Sequence, residues 1–160
     1  MSTRVWIASP HEAEVVTRLM VGFRDYLGYG WPSQNAFLAG VERLLGDVQT
    51  DFLLGARNAD SPPEGVCQLR FRHGLWRAGT DCHIEDLFVG EPARGTGLGR
   101  ALVARARERA LERGARRMEL DVNEANSAAL RLYEAFGFET KNPAVYGGRD
   151  LYLRVHLPHE

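Results

Sequence analysis

The run Arg94-Gly95-Thr96-Gly97-Leu98-Gly99 lies between an apolar stretch, Ile84 to Val89, and a helix-forming stretch, Arg100 to Arg113. Alternating glycines admit positive φ and let the backbone approach a bulky ligand. The first amides of the following helix have no partner inside it, and the helix dipole favours an anion there. The chemistry this supports is pyrophosphate binding, with Arg94 adding a fixed positive charge at the rim. A Walker A loop is excluded, because Gly99 is followed by Arg100 and Ala101 rather than Lys and Ser or Thr. A dinucleotide fingerprint fails as well: its third glycine falls on Arg100, and Gly90 to Ala93 is too long for its tight turn, although Asp121 mimics the distal acid. A plain helix-capping turn stays open on these residues alone.

Proton transfer is the second chemistry the sequence offers. An alkyl amine near neutral pH is protonated and must lose a proton to act as a nucleophile, so a carboxylate or water chain has to accept it. Glu85 and Asp86 sit in the stretch that precedes the loop. As neighbours on a strand they are expected to point to opposite faces, with only one facing a given cleft. Tyr133 carries a phenol that stays protonated at neutral pH and can donate to a leaving group. It follows Asn126 by two helical turns, so both share one helix face. Each has a plainer reading too: Glu85 as an exposed or ion-paired carboxylate, Asn126 as an N-cap, and Tyr133 as a core aromatic.

Positioning these groups requires a framework of strands and helices. Thr3 to Ala8 alternates as a strand, and Ser9-Pro10-His11-Glu12 is a capping box opening a helix to about Leu27. Ser33 caps a second helix bearing Phe37, Leu38, Val41, Leu44 and Leu45. Strands are predicted at 51–57, 65–73, 81–89 and 116–122, helices at 97–113 and 126–136, and a final strand from Asp150 to Leu157. Tyr146-Gly147-Gly148 reads as the turn before that last strand. A helical crossover joins strands 81–89 and 116–122, so they must be parallel, with the glycine loop at the carboxyl end of the first.

Composition suits one domain over residues 1–160: 44% hydrophobic, 26% charged and a formal net charge of -1. That charge gives no reason to expect nucleic acid or an anionic membrane as partner. Arginines between Arg100 and Arg117 alternate with Ala, Leu and Glu, as on a solvated helix face. No apolar run approaches the roughly 20 residues of a membrane span, and the N-terminus lacks a signal-peptide core, so a cytoplasmic location is expected. Cys67 and Cys82 lack metal or redox spacing and read as free thiols. No metal site is expected.

Residues 81 to 139 resemble the core of the GCN5-related N-acetyltransferases, the GNAT family. Ile84 to Val89 resembles the family's fourth strand and Arg94 to Arg100 its acetyl-CoA loop. Asn126-Ser127-Ala128-Ala129-Leu130-Arg131-Leu132-Tyr133 resembles its later helix, and Glu134-Ala135-Phe136-Gly137-Phe138 its exit. Glu85-Asp86 with Asn126 and Tyr133 most resembles the diamine acetyltransferases. The resemblance implies an α/β (α+β) fold with a mixed, mostly antiparallel sheet, a splayed parallel strand pair and flanking helices. It implies acetyl-CoA as cosubstrate, held by backbone groups of Leu87, Phe88 and Val89, by Arg94, Gly95, Thr96, Gly97, Leu98, Gly99 and Arg100, and by Asn126 and Tyr133.

By the same likeness, Glu85 is the base and Tyr133 the acid in direct attack of a small-molecule primary amine. Amides near Phe88 and Val89 would stabilise the oxyanion. Asp86, Tyr26, Tyr29 and Trp31 are expected at the acceptor, and the family's habit implies a homodimer. A noncatalytic CoA-binding regulatory module, a transferase for protein N-termini or lysines, and nucleotide binding through the same loop are the alternatives.

Overall fold

The computed structural model describes residues 2–139, 148 and 151–158. In chain order the elements are β1 (Arg4–Ile7), α1 (Ala13–Tyr26), α2 (Gln34–Leu45), β2 (Thr50–Ala56), β3 (Gly65–Gly74), β4 (Gly79–Val89), α3 (Leu98–Glu112), β5 (Ala115–Leu120) and α4 (Ser127–Ala135). Their starts follow from local chemistry. The Glu12 carboxylate accepts the Ser9 amide at 3.0 Å and the Trp6 indole N–H at 3.0 Å, fixing the entry to α1 through a single 3-10 turn. Ser33 Oγ accepts the Ala36 amide at 3.1 Å and caps α2.

The sheet runs β1-β2-β3-β4-β5. The first three pairs are antiparallel and β4–β5 is parallel, because α3 carries the chain back across the sheet. Each face has its own core. Leu98, Leu102, Ala106 and Ala110 recur every four residues on α3 and pack on Leu53, Cys67, Leu69, Phe71, Cys82 and Ile84. On the other face α1 and α2 cover Phe52, Leu54, Val66 and Phe88. Burying each such large side chain contributes about 1.5–3 kcal/mol.

Two glycines set the height of α3. Gly55 and Gly65 stand opposite one another across β2 and β3. A Cβ on Gly55 would come 2.8 Å from Leu98 Cδ1, and one on Gly65 2.8 Å from Leu102 Cδ1. Their missing side chains let the first turns of α3 settle onto the sheet.

The expected final strand is not formed. Residues 151–158 take no part in the sheet, and Leu151, Leu153, Val155 and Leu157 are exposed. Alternation supplies an apolar face, but a strand also needs a partner, and among the described residues this segment pairs with none. Asp150, Tyr146 and Gly147 lie outside the described residues. The fifth strand is also shorter than expected, with Asp121 and Val122 beyond its end. Among the described residues no helix is long and apolar enough to cross a membrane, and no cluster of metal-ligating side chains is present.

Candidate functional site

The parallel ladder between β4 and β5 ends at Ile84 opposite Leu120, yet β4 continues to Val89. The two strands therefore part, leaving backbone groups of Glu85 to Val89 facing a gap on that side among the described residues. Leu87 and Val89 send their side chains to the α3 core, while Phe88 stacks on Phe23 with ring centroids 5.1 Å apart. The side chains at 87–89 are spent on packing, and only their backbone is free to meet a ligand in the gap.

Glu85 and Asp86 depart from simple alternation. On β3, Gln68 faces Asp86 and Leu69 faces Ile84, so Glu85 is the extra residue of a β-bulge. Ile84 and Leu87 both reach the α3 core, and both carboxylates between them lie off that face. The expectation that they point to opposite faces is thus corrected: the bulge resets the alternation and brings them together. Burial, followed by the charge of Glu85, holds the Asp86 carboxyl above its ordinary range, with His83 opposing.

Tyr133 comes from the far wall. It is buried on α4, packs edge-on against Phe138 at 5.6 Å, and has its pKa pushed up to about 12 by burial first and by proximity to Cys67 and Asp86 second. Cys82 is pushed to about 12, chiefly by burial, and Cys67 higher still, so neither supplies a thiolate nucleophile near neutral pH. Asn126 caps α4, its Oδ1 accepting the Ala129 amide at 3.1 Å. Among the described residues its side-chain NH2 has no partner.

The glycine loop closes the carboxyl end of β4. Gly95 and Gly97 have φ of +76° and +88°, and a Cβ on either would meet nothing within 4 Å, so the approach to this backbone is open. Thr96 Oγ1 donates to the Ala93 carbonyl at 2.5 Å, bracing the turn. Gly97 is the N-cap of α3 without a side-chain cap, which leaves the amides of Leu98, Gly99 and Arg100 without intrahelical partners. Arg94 Nε donates to the Val89 carbonyl at 3.0 Å, and its guanidinium lies 4.5 Å from the Tyr26 ring.

Of the expected acceptor residues, Tyr26 lies beside Arg94 and 6.1 Å from the Phe88 ring, exposed and outside both cavities described below. Tyr29 and Trp31 are exposed and line neither of the two cavities beside the gap. The larger cavity, about 1170 Å³, includes Leu120, Leu130, Tyr133 and Phe138. The smaller, about 570 Å³, opens on the sheet face opposite α3 and includes Arg70, Arg72, His83, Glu85, Glu119 and Asp121. Sequence reasoning missed most of this second set. Its signal was alternation of charge on strands otherwise built for a core: Arg70 and Arg72 on β3, Asp81 and His83 on β4, Arg117 and Glu119 on β5.

Comparison with known proteins gives a consistent picture. Residues 18–138 match the family model described as Acetyltransferase (GNAT) family. A Thialysine N-epsilon-acetyltransferase of Bos taurus is 31% identical over 50% of this chain and 49% of its own length. The chain thus matches about half of that relative's length. A crystal structure of a proposed acetyltransferase from Arthrobacter sp. FB24 superposes with a TM-score of 0.83 at 28% identity, covering 96% of both chains. The structure of AAC(6')-Iy in complex with the bisubstrate analog CoA-S-monomethyl-acetylneamine shares the fold, with a TM-score of 0.78, 21% identity, and coverage of 98% of this chain and 100% of that one.

Proposed function

Because the chain belongs to the acetyltransferase (GNAT) family, we propose that it moves an acetyl group from acetyl-CoA to a primary amine of a small molecule, within a single domain and without an acyl-enzyme. The observation that carries this reading is the parting of β4 from β5 beyond Ile84 and Leu120, with the Glu85 bulge on β4, the glycine loop beyond its end, and Tyr133 lining the larger cavity with Leu120.

In this mechanism the amides of Leu98 to Arg100 and the Arg94 guanidinium hold the pyrophosphate of acetyl-CoA. Backbone groups of Leu87 to Val89 align its pantetheine arm, and an amide at Phe88 or Val89 receives the oxyanion. Glu85 accepts the proton that frees the amine lone pair for attack on the thioester carbonyl. As the C–S bond breaks, Tyr133 donates its proton to the sulfur, and the proton that the new amide nitrogen sheds restores the phenol. The raised pKa of Asp86 supports a second assignment, in which Asp86 takes the proton and Glu85 orients the ammonium.

Acetylation of thialysine by a relative supports a small amine over protein N-termini or lysines as acceptor. A cytoplasmic setting accords with two free buried thiols, Cys67 and Cys82. Homodimer formation rests on the family resemblance alone, and sedimentation velocity decides it.

The test is acetyl-CoA titration by calorimetry, followed by thiol release across amino acids, polyamines, aminoglycosides and short peptides. Binding with release stimulated by one amine class is expected. Binding without release by any amine would replace the enzyme with a noncatalytic CoA-binding module, and ATP outcompeting acetyl-CoA would turn the loop into a nucleotide site.

A further inference from the structure

We infer that the acceptor amine carries a carboxylate and that Arg70 holds it; this rests on the acetyltransferase reading above and names its substrate class. The smaller cavity is electrically divided along the strands. At the level where β4 and β5 part, its lining is acidic, with Glu85 and Asp121 on either side of the gap and Asp86 beside Glu85. One strand level lower, Arg70 stands opposite His83, and His83 opposite Glu119. Below that, Arg72 stands opposite Asp81 and Asp81 opposite Arg117.

Charge pairing in the lower levels leaves one cation over. Glu119 accepts from Arg72 at 2.9 Å and pairs with Arg117 at 3.1 Å, and Asp81 pairs with Arg117 at 3.2 Å. Two carboxylates therefore answer Arg72 and Arg117. Arg70 differs: its nearest carboxylate, on Asp47, is 3.9 Å away, and it makes no hydrogen bond with another side chain among the described residues. Asp47 Oδ1 accepts the Gln49 amide at 2.8 Å, and Oδ2, the oxygen nearer Arg70, is 3.4 Å from the Thr50 hydroxyl that donates to it. Among the described residues the Arg70 fork thus lines the cavity with only a long ion pair to Asp47 and no hydrogen bond to a side chain, and a planar carboxylate is the group that fork matches.

Glu85 and the Arg70 level are separated by about two strand residues, roughly 7 Å. That is the span of an extended chain bearing an amine at one end and a carboxylate at the other. An acceptor of this form places its ammonium among the acids beside the gap and its carboxylate on Arg70. A diamine or aminoglycoside of the same reach would set a second cation against Arg70 instead.

Three chain-matched amines test the assignment by acetyl-CoA-dependent thiol release: 6-aminohexanoate, hexylamine and 1,6-diaminohexane. The expected order of kcat/KM is carboxylate, then neutral, then cation, with about a tenfold advantage for 6-aminohexanoate over hexylamine, as for one charge-assisted hydrogen-bonded pair. In Arg70→Gln that ratio falls about tenfold, chiefly through KM for the carboxylate, and Arg70→Lys restores part of it. Unchanged acetyl-CoA affinity certifies that both variants are folded. Equal or better turnover of 1,6-diaminohexane, or a ratio that survives Arg70→Gln, overturns the carboxylate anchor while leaving the acetyltransferase standing. Thiol release by none of these amines nor by the wider panel, with acetyl-CoA bound, overturns both.

Discussion

Arg94 joins two parts of the molecule that are far apart in sequence: its Nε donates to the Val89 carbonyl at 3.0 Å while its guanidinium sits 4.5 Å from the ring of Tyr26. The end of α1 and the glycine loop are thereby held in one arrangement, with Phe88 between them. An arginine over an aromatic face at a half-exposed site is worth about 0.5–1 kcal/mol. Tyr26→Leu is therefore expected to weaken acetyl-CoA binding several-fold, and Tyr26→Phe to preserve it. Calorimetry on both, in wild-type and Arg94→Gln backgrounds, checks this; additive effects would show that the ring and the guanidinium act independently.

Gly97 is required by its backbone. At φ +88° an L side chain is strained even though the space around it is open. Gly97→Ala should cost about 1–2 kcal/mol and lower Tm by roughly 3 °C per kcal/mol in a chain of this size. Its acetyl-CoA affinity should be read against that loss of stability, measured by calorimetric unfolding. A Tm equal to wild type would mean that the loop adopts another conformation.

Tyr133→Phe should lower kcat by roughly a hundredfold, the lower end for loss of a general acid, with acetyl-CoA affinity nearly unchanged. Since burial keeps the wild-type phenol protonated to about 12, no alkaline loss of kcat should trace to Tyr133 below that pH. Rate profiles for both proteins test the pair of statements. Normal turnover in the Phe variant would leave Tyr133 as a packing residue against Phe138.

Asp86 makes stability depend on pH in a definite direction. Its folded pKa lies above the unfolded value, so its contribution is fully present below the ordinary carboxyl pKa of about 3.9 and is lost as pH rises through the raised one. Asp86→Asn should accordingly raise Tm at neutral pH, with the advantage shrinking as the medium is acidified. If Asp86 is the base, the acid limb of kcat/KM should also disappear in Asp86→Asn and persist in Glu85→Gln. Thermal unfolding across pH and paired rate profiles separate the two roles.

Local chemistry carried much of the fold into view from sequence. Ser33 ahead of its helix, the helix predicted after the glycine loop, and the positive φ at Gly95 and Gly97 each depend on a few neighbouring residues, and the structure has them there. The family resemblance implies a bulge where the strands part, but its position at Glu85 was not readable from the residues, because it arises between the pairs Gln68–Asp86 and Leu69–Ile84, which only the finished sheet brings together. The same holds for Arg70. Its position beside His83 depends on the β3–β4 register, and its lack of a close partner on how Arg72 and Arg117 divide Glu119 and Asp81. The segment from Leu151 shows the converse: a strand-like pattern is no guarantee of a strand.

The opposed glycines at 55 and 65 bear on how this protein can change over time. The height of the proposed anion platform at Leu98 depends on two absent side chains, at Gly55 on β2 and Gly65 on β3, outside the loop itself. A single methyl group gained at either one would press on Leu98 or Leu102, so that either the leucine repacks or the start of α3, with the amides beyond Gly97, moves. Cosubstrate affinity is thus exposed to substitutions on β2 and β3, and a survey of variants confined to the loop would overlook the positions that decide where the loop stands.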